Sequence, residues 1–208
     1  MDSVTPVPDV VAEAVESADP PGNQRLTAMT GAVLLVLFAA EVITTLLMGS
    51  FFSLHFFIGM VLIGPVSLKV GSTVWRFIRY YTGSKPYVRR GPPPTLERIL
   101  GPILILTSVA VLGSGVMLAV TGPGGSWGRI HQLSFYLWLI VVIVHMVVYL
   151  PKLPNLLSRA PTERAVRALA ASRTRWVLLA CSIIGGLILA VLTYHLRARW
   201  GSWGGNIL

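Results

Sequence analysis

Two histidines, His131 and His145, stand fourteen residues apart in a nearly continuous apolar run, WGRIHQLSFYLWLIVVIVHMVVYL at 127–150. On a helix, fourteen steps bring the second side chain back to within roughly 40° of the first and carry it about 21 Å along the axis. Both imidazoles then share one face, one toward each edge of a hydrocarbon layer. An imidazole is costly there without a partner, and ionisable groups inside a membrane are functional-site candidates by default. The spacing has an echo. A second apolar run, at 54–75 and continuing helically to about Tyr80, opens with His55, and Lys69 stands fourteen residues beyond it. Nitrogen donors repeated at one spacing in two segments suggest two sites stacked across a membrane.

Composition says what must hold these residues. Of 208 residues, 54% are hydrophobic and 12% charged, with mean hydropathy +0.71. A soluble domain carries about a quarter charged residues, so the chain reads as a membrane protein in contact with lipid. The net charge of +9 would suggest nucleic acid in a soluble protein; here it reads as loop charge on one side of a membrane, and no nucleic-acid partner is expected. The single cysteine, Cys181, excludes an intramolecular disulfide, a four-cysteine iron–sulfur site and a C-x-x-C-H haem attachment. Any haem would be held by coordination and packing.

Residues 1–25 place Asp2, Asp9, Glu13, Glu16 and Asp19 among Pro, Val and Ala. Without a basic leading region this is not a secretory signal; it reads as a disordered or loosely docked acidic tail. Five apolar segments follow at 26–48, 54–75, 96–120, 127–150 and 175–196, each near the ~20 residues a spanning helix needs. The fold class is therefore all-α: an integral membrane helical bundle of five transmembrane helices. A four-helix core at 26–150 is followed by a basic loop at 151–173, then the fifth helix and a tail at 174–208. Pro65 should kink the second helix.

Charge orients the bundle. Arg76, Arg79, Lys85, Arg89, Arg90 and Arg98 lie between spans two and three, and Lys152, Arg159, Arg164, Arg167, Arg173 and Arg175 between spans four and five. These are twelve of the seventeen Lys and Arg residues; the opposite side holds Arg129, Arg197 and Arg199. The positive-inside rule makes the basic loops cytoplasmic. A multi-pass protein of the plasma membrane follows, with its N-terminus cytoplasmic and its C-terminus outside. Spans two and four then run inward together. His55 and His131 fall at similar depth near the outer surface, and Lys69 and His145 at similar depth toward the cytoplasm. A six-coordinate haem b needs two axial ligands on facing helices at one depth, and bundle cores are where such cofactors are built. His55 with His131 meets that need; His55 with His145 does not. Gly59 lies one turn after His55, and Gly113 and Gly115 lie in the outer half of span three, where small residues let a flat ring approach the backbone. Close helix packing is the plain alternative for each glycine. Arg129 stands near enough to His131 to pair with a haem propionate.

These segments, LHFFIG around His55 and HQLSFYLWLIVVIVH from His131 to His145, resemble the transmembrane b-type cytochromes of the cytochrome b561-like superfamily. The resemblance covers residues 26–150. It implies a cytochrome b core in which paired histidines about fourteen residues apart hold haem across helices. It also implies electron transfer between quinones or soluble donors and a partner redox subunit. The departure is Lys69, which stands where a second histidine would complete a di-haem set. Three readings of Lys69 are open: a deprotonated amine ligating iron, a charged amine binding a haem propionate or a quinone oxygen, or a side chain snorkelling toward the interface. His145 is then either an inner ligand or a residue hydrogen-bonded within the bundle.

Glu41, in span one, could take up a proton coupled to electron transfer, or be a carboxyl hydrogen-bonded near Thr44 and Thr45. His195 reads as interfacial and Cys181 as a small packed residue. No phosphate-binding glycine loop, nucleophile elbow or H-E-x-x-H is present, so substrate chemistry would fall to a partner. The expected function is a membrane cytochrome b acting as the electron-transfer subunit of an oxidoreductase. The alternatives are a proton-coupled transporter using Glu41, Lys69 and the histidines as relays, and a cofactor-free membrane anchor.

Overall fold

The computed structural model describes residues 22–84, 88, 95–149 and 165–201. The acidic stretch 1–21 and most of the basic loops lie outside the described residues. Five long helices form an all-α bundle: α1 (Gly22–Leu46), α2 (Met48–Tyr81), α3 (Thr95–Thr121), α4 (Trp127–Tyr149) and α5 (Ala165–Thr193), the last continuing as a 3-10 segment, Tyr194–Trp200. Each of the five is long and apolar enough to cross a membrane.

The helices start earlier than hydropathy alone indicates. α1 begins at Gly22, inside the stretch assigned to the tail, and α5 at Ala165, inside the stretch assigned to the basic loop. The sequence AVRALAASR at the start of α5 is polar enough to read as loop, yet its alanines are the strongest helix formers. α2 begins at Met48, so Leu47 alone separates it from α1. Hydrogen bonding carries the chain round this corner: the Leu47 N–H donates to Ile43 C=O (3.1 Å), and the Ser50 and Phe51 N–H groups donate to Leu47 C=O (both 3.0 Å). The bend is taken up at Leu47 (φ −111°, ψ 32°) and Phe51 (φ −117°, ψ 18°). The non-helical angles inside α2 thus fall at Phe51, while Pro65 is fully buried further along the helix.

α1 and α2 form an antiparallel hairpin, as the nested contacts of Glu41 with His55 and of Gly31 with Lys69 show. α3 and α4 form a second, turned between them at Gly122 and Gly125, whose φ values of 81° and 89° favour glycine. α5 runs antiparallel along α2. Gly64 meets the backbone of Ser182, and Gly186 that of Val61, so closely that a Cβ at either glycine would overlap a carbonyl oxygen. The fifth helix, which the sequence sets apart from a four-helix core, therefore belongs to the packed bundle. Its core includes Phe56, Met60, Val61, Ala119 and Ala190, with Leu34, Leu62 and Val66 beside them.

The bundle has a seam. α2 packs closely on α1 and α5, and α3 packs closely on α4, but the two groups touch much less, and α2 and α4 scarcely meet through their backbones. Side chains cross the seam instead. At one end His55 faces His131; deeper in, the Phe38 ring meets the Trp138 ring edge-on at 4.7 Å. The 3-10 segment closes the His55 end, where Trp200 stacks on Phe52 at 5.5 Å. Arg199 donates to the Val120 carbonyl at the C-terminus of α3, where a cation also complements the helix dipole. Large side chains such as Leu46, Leu106, Val147 and Val191 point outward, as lipid contact requires.

Candidate functional site: a histidine pair in the seam

Each imidazole is fixed by its own helix hairpin before the two meet. On the α1–α2 side, Glu41, Thr44 and Thr45 occupy one face of α1 by their i, i+3, i+4 spacing, and that face looks onto His55. Glu41 Oε1 lies 3.2 Å from His55 Nδ1. Thr45 Oγ1 lies 3.2 Å and Thr44 Oγ1 3.5 Å from the same nitrogen. Both threonine hydroxyls donate to the Glu41 carbonyl, at 2.9 and 2.8 Å, which leaves their oxygens to accept. The threonine oxygens can accept from Nδ1, and Glu41 Oε1 accepts from it when ionised or donates to it when protonated.

On the α3–α4 side, His131 Nδ1 donates to the Val111 carbonyl at 3.0 Å and lies 3.2 Å from Ser114 Oγ. A carbonyl can only accept, so this Nδ1 is protonated. Gly115 makes the approach available: a Cβ there would stand 3.1 Å from His131 Cε1. Ser114 also meets Ser134 Oγ at 3.2 Å, tying α3 to α4 one turn below the imidazole.

With Nδ1 protonated, the His131 ring keeps a bare Nε2 lone pair, and the His55 ring does the same when its Nδ1 donates to the α1 oxygens. The ring centres stand 6.5 Å apart, with their planes at 68°. A metal–imidazole bond of about 2.1 Å and about 1.2 Å from nitrogen to ring centre put two rings that share one metal ion ~6–7 Å apart. The donor types and the ring separation fit two imidazoles that share one metal ion, and a metal-ligating histidine with its other nitrogen bonded to a carboxylate or carbonyl is the usual arrangement. No group of three or more His, Cys, Asp or Glu side chains that could hold a metal converges among the described residues.

The remaining expected residues fall into place separately. Gly59 gives room to Glu41 rather than to a ring: a Cβ there would lie 3.1 Å from Oε1. A Cβ at Gly113 would meet nothing within 4 Å. Arg129 is exposed, two residues before His131 and so ~200° round the helix from it. Lys69 and His145 are both partly buried and lie on the far side of the Phe38–Trp138 pair from His55 and His131. Lys69 rests against α1, where a Cβ on Gly31 would be 3.4 Å from its Nζ. Trp138 is itself buried and donates to Ser108 Oγ at 3.1 Å, so it separates the two levels as a fixed wall. His195 is exposed, its Nδ1 2.8 Å from the Leu192 carbonyl, and Cys181 is exposed on α5 rather than packed. At the His55 end an open groove of about 400 Å³ runs between α2 and α5, lined by Ser53, Leu54, Phe57, Val191 and Tyr194.

Sequence reasoning finds the two imidazoles but not what anchors them. Val111 acts through its backbone, which no residue pattern displays. Glu41, Thr44 and Thr45 could have been tied to His55 by noting that a one-residue turn brings the last turn and a half of α1 level with the start of α2. No family model, curated protein or solved structure matches the chain.

Proposed function

We propose that the chain is a membrane-embedded b-type cytochrome in which His55 and His131 are the axial ligands of one haem b. It would pass electrons between a quinone or another donor and a partner redox subunit. The observation that carries this reading is the pair of imidazoles at a 6.5 Å ring separation, on helices whose backbones scarcely meet. The haem, when bound, supplies a one-electron ferric–ferrous couple. The protein's part is to hold and insulate. Glu41, Thr44 and Thr45 fix one ring, and Val111 and Ser114 the other. A haem held by His55 and His131 would lie in the seam between the two helix groups, on the near side of the Phe38–Trp138 pair. With the basic loops cytoplasmic, this level would lie near the outer surface of the plasma membrane. Lys69 and His145 make up the inner level, where a second haem, a propionate or a quinone oxygen would be bound.

A second reading rests on the Glu41–His55 contact at 3.2 Å: a buried carboxyl and imidazole side by side are also the parts of a proton-coupled transporter. Purified protein separates the two. A reducible Soret and α-band spectrum is expected, and His55→Ala and His131→Ala should each abolish the same low-spin signal. A folded, colourless wild type refutes the cytochrome. Haem analysis then counts the sites. Two haems per chain with one lost in Lys69→Ala makes the amine a ligand; one haem, indifferent to Lys69→Ala and His145→Ala, limits the protein to the His55–His131 site.

A further inference from the structure

The open groove between α2 and α5 changes polarity along its length. Toward the 3-10 segment it starts at Ser53 and Tyr194, and deeper in the bundle its walls are Leu54, Phe57 and Val191. Phe57 lies four residues, about 6 Å, below Ser53 on α2, and its ring meets that of Tyr194 edge-on at 6.0 Å. Arg197 stands at the mouth. Its guanidinium carbon lies 4.3 Å over the Tyr194 ring, and Nη1 donates to Ser53 Oγ at 3.2 Å. Both partners of Arg197 therefore line the groove. Ser53 Oγ accepts this bond, which leaves its own O–H to donate, and the exposed guanidinium has spent one of its five N–H donors. Among the described side chains the one carboxylate is Glu41, and it faces His55. Arg199 adds a second cation at the same end. The mouth is thus positive, and no carboxylate of the described residues neutralises it.

We propose that this groove binds one anionic phospholipid, with its phosphate on Arg197 and Ser53 and one acyl chain laid between α2 and α5 against Leu54, Phe57 and Val191. A cation and a hydroxyl at the mouth with apolar walls beneath follow the order of headgroup and chain in a lipid. The guanidinium fork matches phosphate oxygens, which it can hold through two N–H groups at once. An arginine that merely snorkels keeps its rotamer freedom; Arg197 is already held by a ring and a hydroxyl, so less freedom is lost when the phosphate arrives. Net charge selects the headgroup, because a zwitterionic lipid brings its own cation to the same place. The site is built from α2, α5 and the 3-10 segment, and it stands whether or not the chain binds haem.

The test uses the full-length protein, delipidated in detergent and titrated with phosphatidylglycerol or with phosphatidylcholine of the same chains, while native mass spectrometry counts the lipids bound. The wild type should hold one phosphatidylglycerol per chain about fivefold more tightly than phosphatidylcholine, the effect expected of one basic side chain at a membrane surface. Arg197→Gln should bring the two lipids to equal affinity, and Arg197→Lys should keep the preference. Val191→Trp, which fills the apolar wall, should weaken both lipids alike. Leu192→Trp, equally exposed to lipid but outside the groove, should bind like the wild type. Equal affinity of the wild type for the two lipids overturns the proposal, as does a preference that survives Arg197→Gln. Glycerol phosphate, an anion without chains, should not displace the lipid; if it does, the mouth is a bare phosphate site and the groove has no part in it. A quinone that displaces the lipid, or a dimer of the chain that Val191→Trp breaks, would give the groove another occupant and overturn the proposal as well.

Discussion

A histidine that is to bind a metal through one nitrogen needs a partner for the other, and both rings of the proposed site find theirs within their own hairpin. That is why the smallest residues near the pair matter. Gly115 has no side chain at the point where the His131 ring reaches the Val111 carbonyl, and a Cβ would intrude to 3.1 Å of Cε1. Gly115→Ala should push the ring off its acceptor and weaken haem retention about 10–100-fold, the usual loss when such an anchoring partner is disturbed. Gly113→Ala, which meets open space, should retain haem like the wild type. Titration of the purified apoprotein with haem, read by the Soret band, compares the two; equal affinity would mean that Gly115 only serves helix packing. At this scale the sequence displays the candidate ligands, because imidazoles spaced fourteen residues apart in apolar sequence are costly unless each has a partner. It hides the anchors. Glu41 lies on a different helix from the residue it serves, and the Val111 acceptor is main chain. The two glycines, alike in sequence, differ only in that Gly115 meets His131, on the next helix.

Helix α2 is the element on which everything else is placed. It carries His55 and Lys69, forms a hairpin with α1, and takes α5 along its other side. The α2–α5 contact is backbone on backbone at Gly64 and Gly186, the kind of approach that drives helix association where lipid offers no hydrophobic difference. Gly64→Leu should wedge the two helices apart. Overpacking of this kind typically costs about 1–3 kcal/mol, so a lower melting temperature and a loss of monodispersity in detergent are expected. Gly71→Leu, where a Cβ meets nothing within 4 Å, should be tolerated. If the two variants melt alike, the close contact contributes nothing to stability. The five spans themselves were legible from hydropathy, since any run of that length in hydrocarbon must be helical to satisfy its backbone. Their ends were not. Hydropathy sees only the hydrocarbon portion, whereas α5 is extended by an alanine-rich polar turn and α2 by a corner of one residue. The place of α5 was hidden too, because an apolar helix looks the same whether it faces lipid or a neighbour.

At the scale of the molecule, the alternating helices put the α1–α2 corner, the α3–α4 turn and the C-terminal 3-10 segment at one end, with the imidazole pair just beneath them. The other end receives both basic loops. Among the described residues, Arg76, Arg79, Arg98, Arg173 and Arg175 lie toward it, against Arg129, Arg197 and Arg199 at the imidazole end. Lys and Arg near short loops resist translocation, so the basic end should be cytoplasmic and the imidazole pair near the outer surface, beneath Trp200 and the 3-10 segment. Reporter fusions at residues 90 and 160 should register cytoplasm, and one at residue 124 the outside. Fusions at 90 and 160 outside with 124 inside would turn the whole bundle over. The haem of the proposed site would then take electrons from, or give them to, a partner on the cytoplasmic face. Fusions at 90 and 124 on the same side would contradict the bundle itself, because α3 joins those two points as a single spanning helix and must carry the chain from one face to the other.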